Sequence, residues 1–428
     1  MAKKEKVKKT PKQRAKTAGK VIGIILLVIA VLAGALALAN YISIRANRAF
    51  VENTLQPAVY ENQLQPTLDA DGYYSFTADR ELKVMQLTDI HIGGGIMSVK
   101  KDTMALNAVA AMVTAEKPDL VVVTGDVAYP VPFQSGTFNN KLSAQLFAQT
   151  MEKLGVYWCL AFGNHDTEAY SFFTREDIAA MYEDHDAYPH CLFQSGPTEV
   201  DGVGNYVINV RNSASKITQS LIMLDSHSYT DNDYLGILWR YDCIHKDQVD
   251  WYEKQLDALA AENGGEMPKS LLFYHIPIKE TQDAYYEWRD NDFTDMENVE
   301  YVFGKAGEHK VVVYSSEHNE GLFDAVLAKG STQGLFFGHD HLNNFSLKYK
   351  GIPMTYGYAV DYLAYVGIAK VGLQRGCTMI TLAPDGSFTY SQENYYQDKY
   401  QPAQAKEQVE MIDLNEDPDF GQNATAKK

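Results

Sequence analysis

The sequence predicts an α/β protein with a parallel sheet at its centre, set behind one N-terminal transmembrane helix. Three observations lead there. Two strand, helix, strand units follow one another over residues 82–162; five apolar runs each end in a potential metal ligand; and residues 21–39 are apolar without interruption.

The first unit begins with the strand-like run Leu82 to Thr88, which delivers Asp89 and His91. Residues i and i+2 of a strand share a face, so this carboxylate and imidazole can reach one ion. Leu106, Val109, Met112 and Val113 then recur at helical spacing until Pro118, and Leu120 to Val123 reads as a strand buried on both faces, ending in Gly125-Asp126. The second unit adds a helix over 140–154, closed by Gly155, and a strand from Tyr157 to Phe162 that ends in Gly163-Asn164-His165-Asp166. Asp89, Asp126 and Asn164 thus fall at the C-terminal ends of successive strands, where ligands of open α/β sheets gather.

Beyond Asp166 the spacing predicts a helix over 170–184, strands over 205–210 and 220–225, and a helix over 246–261. His275 closes the run Leu271 to Tyr274, and Gly338-His339-Asp340-His341 closes Gly334 to Phe337. Residues 280–310 are acidic and aromatic without a clear period, which suggests a rim or lid. The runs 311–314 and 334–337 flank a helix at 321–329. The segments 344–350, 353–358 and 377–382 read as strands of a second sheet.

The ends of the chain carry a different message. Residues 1–20 hold nine Lys/Arg against one Glu, so the net charge of −17 conceals an acidic body that should repel nucleic acid. The apolar run at 21–39 is long enough to span a bilayer, and its basic flank puts the N-terminus in the cytoplasm and the body outside. A cleaved signal peptide is the rival reading, given Ala35-Leu-Ala37 and Ala37-Leu-Ala39, but the length favours an uncleaved anchor in the cell membrane. The expected plan is therefore a basic segment at 1–20, an anchor at 21–44 and a spacer at 45–71, then a catalytic domain at 72–392 and a disordered polar tail at 393–428. Four cysteines, Cys159, Cys191, Cys243 and Cys377, lack metal-ligand spacing, and buried free thiols are the expectation for Cys159 and Cys377.

Taken singly, each histidine has a structural explanation, and Gly-Asp or Gly-x-His pairs are common turns. Their order is what carries weight. Asp-x-His, Gly-Asp, Gly-Asn-His-Asp, His and Gly-His-x-His, together with Phe273-Tyr-His275-Ile-Pro277, resemble the calcineurin-like metallophosphoesterase superfamily and the purple acid phosphatases within it. The resemblance implies a four-layer αββα sandwich of two mixed sheets flanked by helices. It also implies two metal ions (manganese, iron or zinc), with Asp89, His91 and His341 on one, Asn164, His275 and His339 on the other, and Asp126 bridging. His165 would stand beside the leaving group, oriented by Asp166. Two ions clamping a phosphoryl group and activating a bridging water give in-line hydrolysis at neutral pH.

One departure concerns the metal. Purple acid phosphatases place a tyrosine in the second block and lack the first histidine; this chain has both His91 and Tyr129. Of the histidines outside the blocks, His227 is the one expected nearest the site. The expected activity is hydrolysis of phosphomonoesters or small phosphodiesters outside the cytoplasm. The alternatives are an envelope diesterase for teichoic-acid-like or lipid-linked phosphates, and a non-catalytic phosphate-binding module.

Overall fold

Residues 10–308, 311–365, 368 and 375–409 are described by a computed structural model. In chain order they form helix α1 (Pro11–Thr54), strands β1 (Thr67–Leu68), β2 (Tyr74–Thr77) and β3 (Leu82–Leu87), α2 (Val99–Glu116), β4 (Leu120–Thr124), the single turn α3 (Pro132–Ser135), α4 (Asn140–Leu154) and β5 (Tyr157–Ala161). There follow α5 (Arg175–Tyr182), β6 (Tyr206–Arg211), β7 (Ile217–Met223), α6 (Lys246–Glu262), β8 (Lys269–Phe273), α7 (Lys279–Asp290) and β9 (Val299–Phe303). The last elements are α8 (Leu322–Lys329), β10 (Thr332–Phe337), β11 (Ser346–Tyr349), β12 (Ile352–Tyr356), β13 (Gly376–Leu382) and β14 (Phe388–Asn394).

Two mixed sheets result. The smaller runs β14-β13-β3-β4-β5, with β3, β4 and β5 parallel, and the larger runs β1-β2-β6-β7-β8-β10-β12-β11-β9, with β7, β8, β10 and β12 parallel. Alternation along β7 shows how the layers stack. Leu221 and Met223 join a core shared with the smaller sheet and α2 and α4, whereas Ile222 faces the opposite way into a core built with α6, α7 and α8. Helices, sheet, sheet, helices is the four-layer arrangement expected.

Several expectations on local structure change. β2 and β3, only four residues apart, go to different sheets, β2 to the larger and β3 to the smaller. Strand β13 leaves its presumed partners β11 and β12 and pairs with β3. The run 311–314 forms no strand. The segment 280–310 holds helix α7 and strand β9, and Ala284, Tyr285 and Trp288 are buried in the second core, so these aromatics build the domain's outer layer.

α1 is long and apolar enough to cross a membrane, and the span that qualifies is unburied. The helix then continues without a break to Thr54, and Ile44, Phe50 and Val51 pack into the first core. Where a spacer was expected, the chain is therefore part of the domain. The polar tail also starts later than its composition suggested, because Tyr395 and Tyr400 are buried and Arg375 pairs with Glu407 at 2.9 Å. Residues 1–9 of the basic segment and 410–428 of the tail lie outside the described residues.

Candidate functional site

The parallel strands of both sheets deliver their C-terminal ends to one place. Asp89 and His91 follow β3, Asp126 follows β4, Asn164 follows β5, His275 follows β8, and His339 and His341 follow β10. All seven are buried, and all seven converge.

Asp126 sits at the centre. Its Oδ2 lies 3.2 Å from Nε2 of His91 and 3.2 Å from Nε2 of His275. On one side of it are Asp89 and His341, with His341 Nε2 3.4 Å from Asp89 Oδ1 and its ring 4.5 Å from that of His91. On the other side Asn164 Oδ1 lies 3.2 Å from His275 Nε2 and 3.0 Å from His339 Nδ1. Two groups of donors thus share one carboxylate.

The backbone is bent to achieve this. Asp89, His91, Asp126 and His339 all have positive φ, at 50°, 53°, 55° and 80°, a region that costs most side chains about 1–3 kcal/mol. Two glycines make the approach possible. A Cβ on Gly163 would meet Asp126 Oδ1 at 2.1 Å, and one on Gly338 would meet Thr88 Oγ1 at 1.9 Å.

Further contacts hold each side chain. Thr88 Oγ1 donates to Asp89 Oδ2 at 2.8 Å, and the His165 N–H donates to Asp126 Oδ1 at 2.8 Å. His275 Nδ1 lies 2.8 Å from the Thr124 carbonyl, which turns Nε2 inward. Asp361, buried after β12, stands 3.3 Å from His91 Nδ1 and 3.5 Å from His341 Nδ1. Sequence reading missed it because it lies five residues beyond β12 and not at a strand end. A carboxylate behind two imidazoles fixes their tautomers and raises their basicity.

These donors fit cations. Ligands each about 2.0–2.2 Å from one ion lie roughly 3 Å apart when they subtend a right angle, the range of the separations given above. The electrostatics agree. Burial would lower the His91 imidazole, yet Asp361 and Asp126 hold it up to about 10, and Asp126 likewise keeps His275 at about 9 against burial. Asp126 itself stays well below the usual carboxylate range despite burial, owing to His275, His165 and His91. Three buried carboxylates here favour positive charge, which metal ions could supply in place of those imidazole protons. Oxygen and nitrogen donors without thiolate suit manganese, iron or zinc.

His165 lies beside this group with its side chain 23 % exposed. Its Nδ1 is 2.6 Å from Glu168 Oε1, so the orienting carboxylate is Glu168, and the expectation for Asp166 is corrected. Asp166 instead accepts from the backbone N–H groups of Asp126, Ala128 and Gly163, tying the second and third strand ends together. Tyr229 joins from outside, donating to Glu168 Oε1 at 3.3 Å and accepting from Asn164 Nδ2 at 2.9 Å.

Tyr129 does not displace His91. Its hydroxyl donates to Gln134 Oε1 at 2.9 Å, and only its ring touches the site, 4.8 Å from the His91 ring. His227 turns away to Gln248 and stacks on His245 at 4.1 Å. All four cysteines are free thiols.

The comparisons with known proteins come from three directions. A protein of Arabidopsis thaliana named probable inactive purple acid phosphatase 29 is 27% identical over 330 residues, covering 72% of this chain and 78% of its own. Another from that plant, probable inactive purple acid phosphatase 14, is 29% identical over 324 residues, covering 69% and 75%. Among solved structures, a dimetal phosphatase from Danio rerio matches 74% of this chain and 98% of its own at 11% identity, with a TM-score of 0.47. The family model for calcineurin-like phosphoesterases matches residues 82–343, from the first residue of β3 to just beyond His341. On that match, which spans the strand ends that carry all seven donors, the chain belongs to the calcineurin-like metallophosphoesterase family.

Proposed function

We propose that Asp89, His91 and His341 hold one metal ion, that Asn164, His275 and His339 hold a second, and that Asp126 bridges them in a hydrolase for phosphomonoesters or small phosphodiesters. The observation that carries this reading is the position of Asp126 Oδ2, equidistant from an imidazole of each group. Bound there, two cations supply Lewis-acid charge to a phosphoryl group and lower the pKa of a water poised for in-line attack. The chain's own residues do the rest. His165, held at Nδ1 by Glu168, presents Nε2 to the leaving-group oxygen as a proton donor. Burial opposes its protonated form, but Asp126 and Glu168 raise its pKa above the ordinary value and so favour the imidazolium. Buried walls around the seven donors exclude bulk water from them.

The catalytic domain works outside the cytoplasm in this reading, because the basic residues precede the apolar span of α1. A second reading, an esterase for lipid-linked envelope phosphates, has its own support. Leu235, Ile237, Leu238 and Trp239 are exposed on a loop whose Tyr241 ring lies 4.3 Å from that of His339. Apolar side chains at the mouth of a polar site suit a substrate with an apolar tail.

The test is a metal-resolved turnover assay on the full chain, comparing p-nitrophenyl phosphate, bis-p-nitrophenyl phosphate and a lipid phosphate. Turnover lost on chelation and restored by manganese, iron or zinc supports the proposal, and the preferred substrate separates the two readings. The relatives named as inactive make turnover itself the point at issue. Metal bound without hydrolysis of any of the three would favour a phosphate-binding module.

A further inference from the structure

α1 is locked to the catalytic domain where it leaves its apolar span. Asn47 Nδ2 donates to Asp102 Oδ2 at 3.1 Å, Asn40 Nδ2 donates to the Gly136 carbonyl at 2.9 Å, and Asn40 Oδ1 accepts from the Ile96 N–H at 2.8 Å. These bonds fix which parts of the domain lie level with Asn40. At 1.5 Å per residue the apolar stretch 21–39 is about 28 Å long, close to the roughly 30 Å of a bilayer's hydrocarbon core. Asn40 therefore marks the membrane surface. Ala33 lies about 10.5 Å inside it, and Arg45 about 7.5 Å outside, in the headgroup layer.

The loops held at this level expose apolar side chains. Phe133 is 87 % exposed, Phe172 65 % and Met97 58 %, and Phe172 stacks on Phe138 with ring centroids 5.9 Å apart. Phe138 and Phe172, from two separate segments of the chain, meet beside α1, and exposed apolar side chains gathered next to a membrane helix suit the bilayer interface.

Between Phe138, Phe172 and α1 opens a cleft of ≈ 930 Å³. Ala33, Leu36, Ala37, Phe138 and Phe172 supply its apolar lining, and Arg45 and Arg48, with Glu52 one turn beyond them, line it farther along the helix. Arg48 Nη2 donates to Gln145 Oε1 at 3.2 Å, while its Nε is buried without a partner among the described residues. Apolar depth and basic rim follow each other along one helix at the heights of a lipid's chain and phosphate.

We propose that this cleft seats one anionic phospholipid from the leaflet facing the catalytic domain, its acyl chain against Ala33 to Ala37 and Phe138, its phosphate at Arg45 and Arg48. The lipid fills the gap between anchor and domain and fixes the height of the metal site above the bilayer. The proposal rests on α1 being a membrane anchor, and the experiment separates the two.

The full chain is extracted in mild detergent, stripped of lipid, incubated with phosphatidylglycerol and weighed intact by native mass spectrometry. One retained lipid per chain is expected, with retention about tenfold lower or less in Arg45→Glu/Arg48→Glu. The same loss is expected in Ala37→Trp, which fills the apolar end without altering charge, and hydrolysis of p-nitrophenyl phosphate should be unchanged in both. No lipid on the parent, retention of detergent only, or equal retention by parent and both variants overturns the cleft. Alkaline washing of membranes reads the anchor separately. Release of the chain overturns anchor and cleft together, whereas an embedded chain that retains no lipid overturns the cleft alone.

Discussion

Glu168 Oε1 lies 2.6 Å from Nδ1 of His165, whose side chain is 23 % exposed beside the buried donors. This pair predicts a separation of chemistry from metal binding. Glu168→Gln should leave metal content unchanged and lower kcat about tenfold to a hundredfold, because the imidazole keeps its place but loses the anion that favours its protonated form. The sign on pH follows. Glu168 raises the His165 pKa, so its loss moves the alkaline limb of kcat/KM to lower pH. A pH profile of both proteins checks this. His165→Ala should also retain its metals, with turnover reduced about 10²- to 10⁴-fold.

Asp361 predicts the opposite pattern. Asp361→Asn should lower metal affinity about 10- to 100-fold while excess metal restores kcat, since the residue stands behind His91 and His341. Titration of activity against added manganese or zinc measures it.

These two carboxylates show where sequence reading stopped. The seven donors were legible because each closes an apolar strand, three of them directly after a glycine, and strand ends of parallel sheets meet in space. Asp361 lies five residues beyond β12 and Glu168 lies in an irregular loop, so neither has a local pattern. Sheet membership was equally silent. β2 and β3 are separated by four residues yet pair with β6 and β4 in different sheets, a long-range choice that no local window contains. Helix α7 did have a signal, for its buried Thr281, Ala284, Tyr285 and Trp288 are spaced three, four and seven apart. Threonine and alanine are too weakly apolar to make that stripe stand out among acidic neighbours.

Arg175 ties the third strand end to the larger sheet, with Nη1 2.5 Å from the buried Asp225 Oδ1 and Nη2 donating to the Gly163 carbonyl at 2.9 Å. Arg175→Met should destabilise the fold by about 3–5 kcal/mol by leaving Asp225 buried and unpaired. Asp225 is buried, but Arg175 and His227 hold its pKa below the ordinary carboxylate value. Its contribution is therefore present above about pH 4 and lost as pH falls through the folded value. The stability gap between parent and variant should narrow on acidification below that point, as urea midpoints from pH 7 to pH 3 would reveal.

The glycines that admit the donors make a fourth prediction. Gly338→Ala should cost about 2 kcal/mol or more and weaken metal binding, because its Cβ would meet Thr88 Oγ1 at 1.9 Å and Asp89 Oδ2 at 2.6 Å. Gly330→Ala, whose Cβ would meet nothing within 4 Å, should leave metal binding intact. Calorimetric metal titration of the two variants distinguishes them.

The most direct test of the central claim is the metal stoichiometry of the full chain and of Asp126→Asn by elemental analysis. Two transition-metal ions per parent chain, falling below one in the variant together with loss of p-nitrophenyl phosphate hydrolysis, is the expected result. A parent that binds no metal, a variant that keeps both ions, or hydrolysis that survives exhaustive chelation would contradict it.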